Sequence, residues 1–256
     1  MNNKVQKAVQ EVEHLTLSRR GTTVWLQLTR SDKKNALTAA MYRALTQALK
    51  EADADPSVTA VVLTGSGDSF TAGNDLQDFL QMDSLDENAP PFEFLLTLNE
   101  LSVPLIAAVN GLAIGIGTTV LLHCDFVYAS SDAKFAMPFV HLGLVPEAAA
   151  SLLLPQQCGY LKAAELLLLG DSFNAEQALE MRLVNEVLAA DQLQARVEQL
   201  TEQLAQRPAA AVRASKALLK APGETTAARI RREVEVFAKA LRSDTARAAI
   251  AARLQK

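Results

Sequence analysis

Val103-Pro-Leu-Ile-Ala-Ala-Val-Asn110-Gly-Leu-Ala-Ile-Gly115-Ile-Gly-Thr-Thr119-Val-Leu-Leu122 is the stretch that decides the fold. It is almost wholly apolar, and a membrane-spanning helix needs about 20 such residues. Pro104, Asn110, Gly111, Gly115 and Gly117 punctuate the run, which argues against a span. The pattern instead predicts a buried strand over Leu105–Val109, a tight glycine turn and the start of a buried helix. A helix starting there points its first amides outward, because they have no acceptor one turn earlier. The glycine spacing is not that of a dinucleotide-binding turn: the third glycine is missing and no ribose-binding acid follows at a suitable distance.

Similar signals lie on either side. Residues 22–29 alternate in the manner of a half-buried strand. Thr38 suits the cap of a helix reaching about residue 52, with Met41, Leu45 and Leu49 recurring every four residues. Residues 58–64 read as a fully buried strand that ends at Gly65-Ser-Gly-Asp68. Residues 126–129 and 134–136 read as further strands. Strands that alternate with helices predict an α/β architecture with parallel pairing.

Beyond Pro146 the chain reads as helical apart from a strand at 183–187. Asn174 suits a helix cap, with Glu176 and Gln177 in the first turn. Asp191 starts another helix, and residues 213–220 lie in a third. A last helix begins near 225 and is interrupted at Ser243-Asp244, with Val234, Phe237 and Leu241 on one stripe. Pro208 and Pro222-Gly223 mark joints. The division expected is an α/β core over residues 1–199 and a helical region over residues 200–256, without a long linker.

Of the 256 residues, 49% are hydrophobic and 21% charged, as in one ordinary globular domain. A net charge of −4 does not suit nucleic-acid binding. The cluster Arg229, Arg231 and Arg232 reads as a solvated helix face or a docking point for a few phosphates. Two cysteines, Cys124 and Cys158, form no CxxC pair, so neither a disulfide scaffold nor a metal site is expected. The opening residues MNNKVQKAVQEVEHL have no apolar core or cleavage pattern, so a cytoplasmic protein is expected.

Three segments carry chemistry. In Gly65-Ser-Gly-Asp-Ser-Phe-Thr-Ala-Gly-Asn-Asp-Leu76, glycine turns bracket a short extended piece and leave amides free at a strand end. A plain turn is the simpler reading of that segment alone. The segment Asn110–Thr119 offers a second set of amides. Two such turns together are what an oxyanion hole requires. The third is Phe135-Ala-Met-Pro-Phe-Val-His-Leu-Gly-Leu-Val-Pro-Glu147. Its apolar surroundings favour a raised carboxyl pKa and a general base. An exposed acid at a helix start is the alternative.

These segments in this order, with Lys34-Asn-Ala-Leu37, CDFVYAS and GDSFNAEQALEMRLVNEV, cover nearly the whole chain. They resemble the crotonase, or enoyl-CoA hydratase/isomerase, superfamily, and within it the peroxisomal-type Δ3,Δ2-enoyl-CoA isomerase branch. The resemblance implies a spiral of strand-strand-helix turns closed by C-terminal helices, which join copies into trimers or dimers of trimers. It implies oxyanion donors at the backbone N–H groups of Asn74 and Ile116. It assigns Lys34, Ala36, Ala72, Gly73, Asn74 and Asp75 to coenzyme A binding, although Lys34 also reads as a solvated turn lysine and Asp75 as a helix cap.

Two glutamates act in the hydratases of this family, and here Thr119 and Phe139 stand in their places. Glu147 matches the single glutamate of the isomerase branch. The expected activity is therefore migration of a double bond in an enoyl-CoA, with Glu147 as sole proton shuttle. Hydration, another crotonase-type reaction, or acyl-CoA binding without turnover are the alternatives. Coenzyme A would arrive with the substrate, and no further cofactor or metal is implied. Phe139, Leu144 and Val145 are expected to shield the intermediate, and His141 reads as a rim histidine. Ala148-Ala149-Ala150 departs from the branch, which often has glycine after the glutamate.

Overall fold

A computed structural model describes residues 9–82, 86–221 and 223–254. Pro222 lies outside the described residues, as does most of the opening stretch read for a leader. The chain begins with strands β1 (Val9–Val12), β2 (Leu15–Arg20) and β3 (Thr23–Leu28), then helix α1 (Ala39–Ala54). Next come β4 (Ala60–Gly65), β5 (Ser69–Thr71), α2 (Leu76–Leu80), α3 (Pro90–Glu100), β6 (Leu105–Val109), β7 (Leu112–Ile114) and the short α4 (Ile116–Thr119). Strands β8 (Phe126–Ser130) and β9 (Lys134–Ala136) lead to α5 (Ala150–Cys158) and α6 (Tyr160–Leu169). Last are β10 (Phe173–Asn174), α7 (Ala175–Glu180), β11 (Glu186–Leu188), α8 (Ala190–Ala205), α9 (Ala209–Lys220), α10 (Thr226–Leu241) and α11 (Asp244–Leu254).

Two sheets result. One has seven strands in the order β1-β2-β3-β4-β6-β8-β11, the other four in the order β10-β9-β7-β5. The pairs β4–β5, β6–β7 and β8–β9 each give their first strand to the large sheet and their second to the small one. That alternation is the strand-strand-helix spiral expected. From β3 to β11 the large sheet is parallel, with Val61 opposite Leu105 and Ile106 opposite Phe126. The switch from one sheet to the other is sharp, and Gly111 makes it possible: a Cβ there would lie 2.0 Å from the Asp68 carbonyl oxygen.

Both faces of the large sheet are covered, which explains why β6 is a continuous apolar run rather than an alternating one. Successive residues point to opposite faces. Val61 and Leu63 of β4 join the core beneath α1, with Met41, Leu45 and Leu49. Ala60 and Val62 face the other way and pack with Trp25, Ile106 and Tyr128 against Leu193, Val197, Leu200 and Leu204 of α8. The expected boundary between residues 199 and 200 thus falls inside a helix that covers the sheet. Beyond α8, cationic side chains hold α9 to the core: Arg213 Nη1 lies 2.9 Å from Asp53 Oδ1, and Lys216 Nζ lies 2.6 Å from Asp125 Oδ2. The stripe Val234, Phe237 and Leu241 on α10 is exposed.

Candidate active site

The three chemistry-bearing segments leave the carboxyl ends of three neighbouring parallel strands. Thr71 of β5 lies opposite Ala113 of β7, and Ala113 lies opposite Phe135 of β9. Loops leaving the carboxyl ends of adjacent parallel strands open on one side of the sheet. Residues far apart in sequence meet there.

The first loop is pinned by a parallel bridge between Leu37 and Asn74. The Leu37 N–H donates to the Gly73 carbonyl and the Asp75 N–H to the Leu37 carbonyl, both at 2.8 Å. In this pairing the middle residue turns its own N–H away from the bridge. Among the described residues no acceptor meets the Asn74 N–H. Its side chain is held separately, with the Tyr42 hydroxyl donating to Asn74 Oδ1 at 2.5 Å. Burial pushes the Tyr42 phenol well above its usual range, and the charge of Glu147 adds to the effect, so the hydroxyl remains a donor.

The second loop turns at Gly115, whose N–H donates to the Ala136 carbonyl at 2.9 Å. Ile116 then opens α4, and its N–H likewise has no acceptor among the described residues. Both free amides therefore follow neighbouring strands. Contact between the two turns is close: a Cβ on Gly73, whose φ is +94°, would sit 2.8 Å from the Ile114 carbonyl oxygen.

Glu147 is neither exposed nor in a helix. It is half-buried and precedes α5, joined to it through Ala148 and Ala149, whose φ angles are +53° and +54°. The Thr119 hydroxyl donates to Glu147 Oε1. Burial pushes the carboxyl up to about 7, although the Thr119 hydrogen bond acts in the opposite direction. No cation pairs with it among the described residues. A carboxylate in this state takes and returns protons near neutral pH.

The residues assigned to coenzyme A binding come together beside the first loop. The Ala72 N–H donates to the Lys34 carbonyl at 2.9 Å, while Arg30 donates to the Ala36 carbonyl at 3.0 Å and to Asp75 Oδ2 at 2.7 Å. Lys34 is exposed, and its Nζ lies 2.6 Å from Asp68 Oδ2. Asp75 is a helix cap: its carboxylate accepts from the Gln77 and Asp78 amides of α2. Arg30 and the Asp78 amide hold that carboxylate below its usual range.

Phe139 is buried, but Leu144 and Val145, expected as shields, are exposed in the single chain. His141 is exposed and lies with Nε2 2.7 Å from the Leu169 carbonyl, which makes it a strut to the carboxyl end of α6. Beside the Glu147 turn is a cavity of about 560 Å³, walled by Phe92, Leu95, Leu96, His123, Ala148 and Ala149. Tyr42 and His123 carried no prominent sequence signal. Tyr42 follows the apolar position Met41, and His123 stands four residues after Thr119. Among the described residues no cluster of His, Cys, Asp or Glu is placed to hold a metal, and no helix is long and apolar enough to cross a membrane.

Residues 19–256 match the family model described as enoyl-CoA hydratase/isomerase. Enoyl-CoA delta isomerase 2 of Rattus norvegicus is 37% identical over 217 residues, covering 82% of this chain. The chain spans about half of that relative, 55% of its length. The 2,3-dehydroadipyl-CoA hydratase of Escherichia coli (strain K12) is 32% identical over 249 residues, covering 96% of this chain and 97% of the relative. Among solved structures, an enoyl-CoA hydratase/isomerase from Pseudoalteromonas atlantica T6c superposes with a TM-score of 0.79 at 40% identity, covering 95% of this chain and 97% of that one.

Proposed function

The chain belongs to the enoyl-CoA hydratase/isomerase family, and within it we propose that this protein moves the double bond of an enoyl-CoA from the 3 to the 2 position. The observation that carries this reading is the state of Glu147: one half-buried carboxylate, bonded to Thr119 and pushed up to about 7, with no second acid at positions 119 or 139. Glu147 removes a proton from C2 of the 3-enoyl-CoA. Electron density flows through the double bond to the thioester oxygen, giving a dienolate. The Asn74 and Ile116 N–H groups stabilise that oxygen, and each such donor is typically worth about 10²–10³ in rate. Glu147 then returns the proton to C4, which leaves the conjugated 2-enoyl-CoA. One group serves as base and then as acid, so no proton is gained or lost overall.

Hydration is less well served, because adding water across a double bond needs an acceptor for the proton of water and a donor to carbon. Thr119 and Phe139 supply neither carboxylate. Lys34, Ala36, Ala72, Gly73, Asn74 and Asp75 form the proposed coenzyme A entrance, and coenzyme A arrives as part of the substrate. The exposed stripe of α10 is proposed to bury against other copies in a trimer or dimer of trimers, which sedimentation tests. The free thiols of Cys124 and Cys158 suit a reducing compartment such as the cytoplasm.

The deciding experiment supplies 3-enoyl-CoA and, separately, 2-enoyl-CoA to the purified protein and its Glu147→Gln variant. Isomerisation that disappears in the folded variant is the expected result. Formation of 3-hydroxyacyl-CoA as the main product assigns hydration instead, and tight binding without turnover assigns a non-catalytic role.

A further inference from the structure

We propose that His123 is a positioning residue for Glu147, the second jaw of a two-point clamp whose first jaw is Thr119. The inference rests on the reading of Glu147 as the proton shuttle. Helix α4 runs directly into a single 3₁₀ turn, Val120–His123, so Thr119 and His123 are four residues apart on consecutive helical turns. Both are buried, and both reach the same short segment. Thr119 bonds the Glu147 carboxylate, while His123 Nε2 lies 2.9 Å from the carbonyl oxygen of the next residue, Ala148.

The chemistry of that second contact is determined. A carbonyl oxygen only accepts, so Nε2 must carry the hydrogen. Burial pushes the imidazole below its ordinary range, and the Lys220 ammonium adds to this against the opposing effect of the Ala148 carbonyl. The ring is therefore the neutral tautomer protonated on Nε2.

The segment it grips needs holding. Ala148 and Ala149 both adopt left-handed backbone, at φ +53° and +54°. For a residue with a Cβ this conformation costs roughly 1–2 kcal/mol, and it persists only where the surroundings over-determine it. The Ala148 carbonyl belongs to the peptide plane between the two strained residues. Anchoring that plane fixes the direction in which the chain leaves Glu147. Releasing it lets the pair relax toward ordinary backbone and shifts the carboxylate from the position in which the Thr119 hydroxyl holds it. His123 also walls the cavity beside this turn, together with Ala148 and Ala149.

The test measures kcat and KM for isomerisation of 3-enoyl-CoA in the full chain and in H123L, H123Q and E147Q, with thermal melts as a control for folding. A catalytic group displaced by about 1 Å loses on the order of 100-fold in rate. H123L is expected to lose 10- to 100-fold in kcat on that scale, with KM changed by about twofold or less. H123Q, whose amide N–H reaches a similar point, is expected to recover most of kcat. If H123L does not fold, H123N replaces it: its amide is one methylene too short, so it is expected to remain slow where H123Q is fast. Wild-type kcat in H123L or H123N, or a loss in H123Q equal to that of the apolar variant, overturns the positioning role. E147Q separates the two claims. Activity in E147Q removes the shuttle and the clamp together, whereas an inactive E147Q beside an unimpaired H123L removes the clamp alone.

Discussion

Tyr42 and Asn74 are joined by a 2.5 Å hydrogen bond from phenol to side-chain oxygen. This bond ties α1 to the loop whose backbone offers the first free amide. It explains how a polar residue at that position leaves its N–H available: the side chain is engaged elsewhere. Tyr42 is itself locked, fully buried with its ring centroid 5.4 Å from that of Phe94.

Tyr42→Phe removes the donor and keeps the ring. A buried acceptor left without its partner costs about 1–3 kcal/mol, so denaturant unfolding should show a loss near the low end of that range. The loop then has one anchor fewer, and kcat should fall several-fold while coenzyme A thioester affinity stays close to that of the parent. Unchanged kcat would mean that the Leu37 bridge alone positions the Asn74 amide.

Gly73→Ala tests the contact between the two amide-bearing turns. The added methyl would lie 2.8 Å from the Ile114 carbonyl oxygen, in a backbone region of φ +94° that alanine rarely adopts. The turns must separate, which displaces one donor relative to the other. Loss of one oxyanion donor costs about 10²–10³ in rate, and steady-state kinetics should show a decline approaching that size in kcat. A folded Gly73→Ala protein with parental kcat would contradict the assignment of these amides.

Thr119→Val isolates the hydrogen bond to Glu147. That bond lowers the carboxyl pKa against the dominant effect of burial. Without it the pKa rises further above about 7, and the base form becomes scarcer at neutral pH. The acid limb of the kcat/KM profile should therefore move to higher pH, with activity at pH 7 reduced and partly regained at pH 8.5. A limb that stays fixed or moves to lower pH would show that Glu147 is not the titrating base.

Much of this arrangement was legible in the sequence, for identifiable reasons. Strand β6 lies at its expected bounds because turn residues flank an apolar run, and β9 likewise covers the expected residues 134–136. Asn174 forms the expected capping box with Gln177, which is a local motif. Strand β5 is the short extended piece expected between glycine turns, whereas the three residues of β7 lie where the sequence reads as a turn into a helix. Residues 183–187 have the pattern of a strand, but pairing with β8 begins at Glu186, and Leu183 and Val184 are buried by packing instead. The setting of Glu147 was the hardest to read. Two left-handed alanines contradict their own propensity, and such conflicts are resolved only by distant contacts. In the sequence Thr119 stands out only as a missing acid, because its partner Glu147 lies 28 residues away.

Glu147 also makes a claim about stability. Its folded-state pKa is raised from the ordinary 4.5 to about 7, so between those pH values the folded protein holds a proton that the unfolded chain has released. Stability has a slope against pH set by the protons bound unfolded minus those bound folded, and here the slope is negative. This carboxyl therefore reduces stability progressively as pH rises through that window, and the full cost is present above about 7. Glu147→Gln carries no such cost. The half-buried carboxyl retains some solvent screening, so the gain at pH 8 should be on the order of 1 kcal/mol, below what the whole shift implies. For a chain of this size that corresponds to about 2–4 °C in Tm. At pH 5 parent and variant should melt nearly together, since Glu147 is then protonated in the folded state. An equal difference at pH 5 and pH 8 would mean that the substitution acts through packing alone. A difference confined to the higher pH would establish by calorimetry, independently of any substrate, that the site holds an uncompensated carboxylate ready to accept a proton.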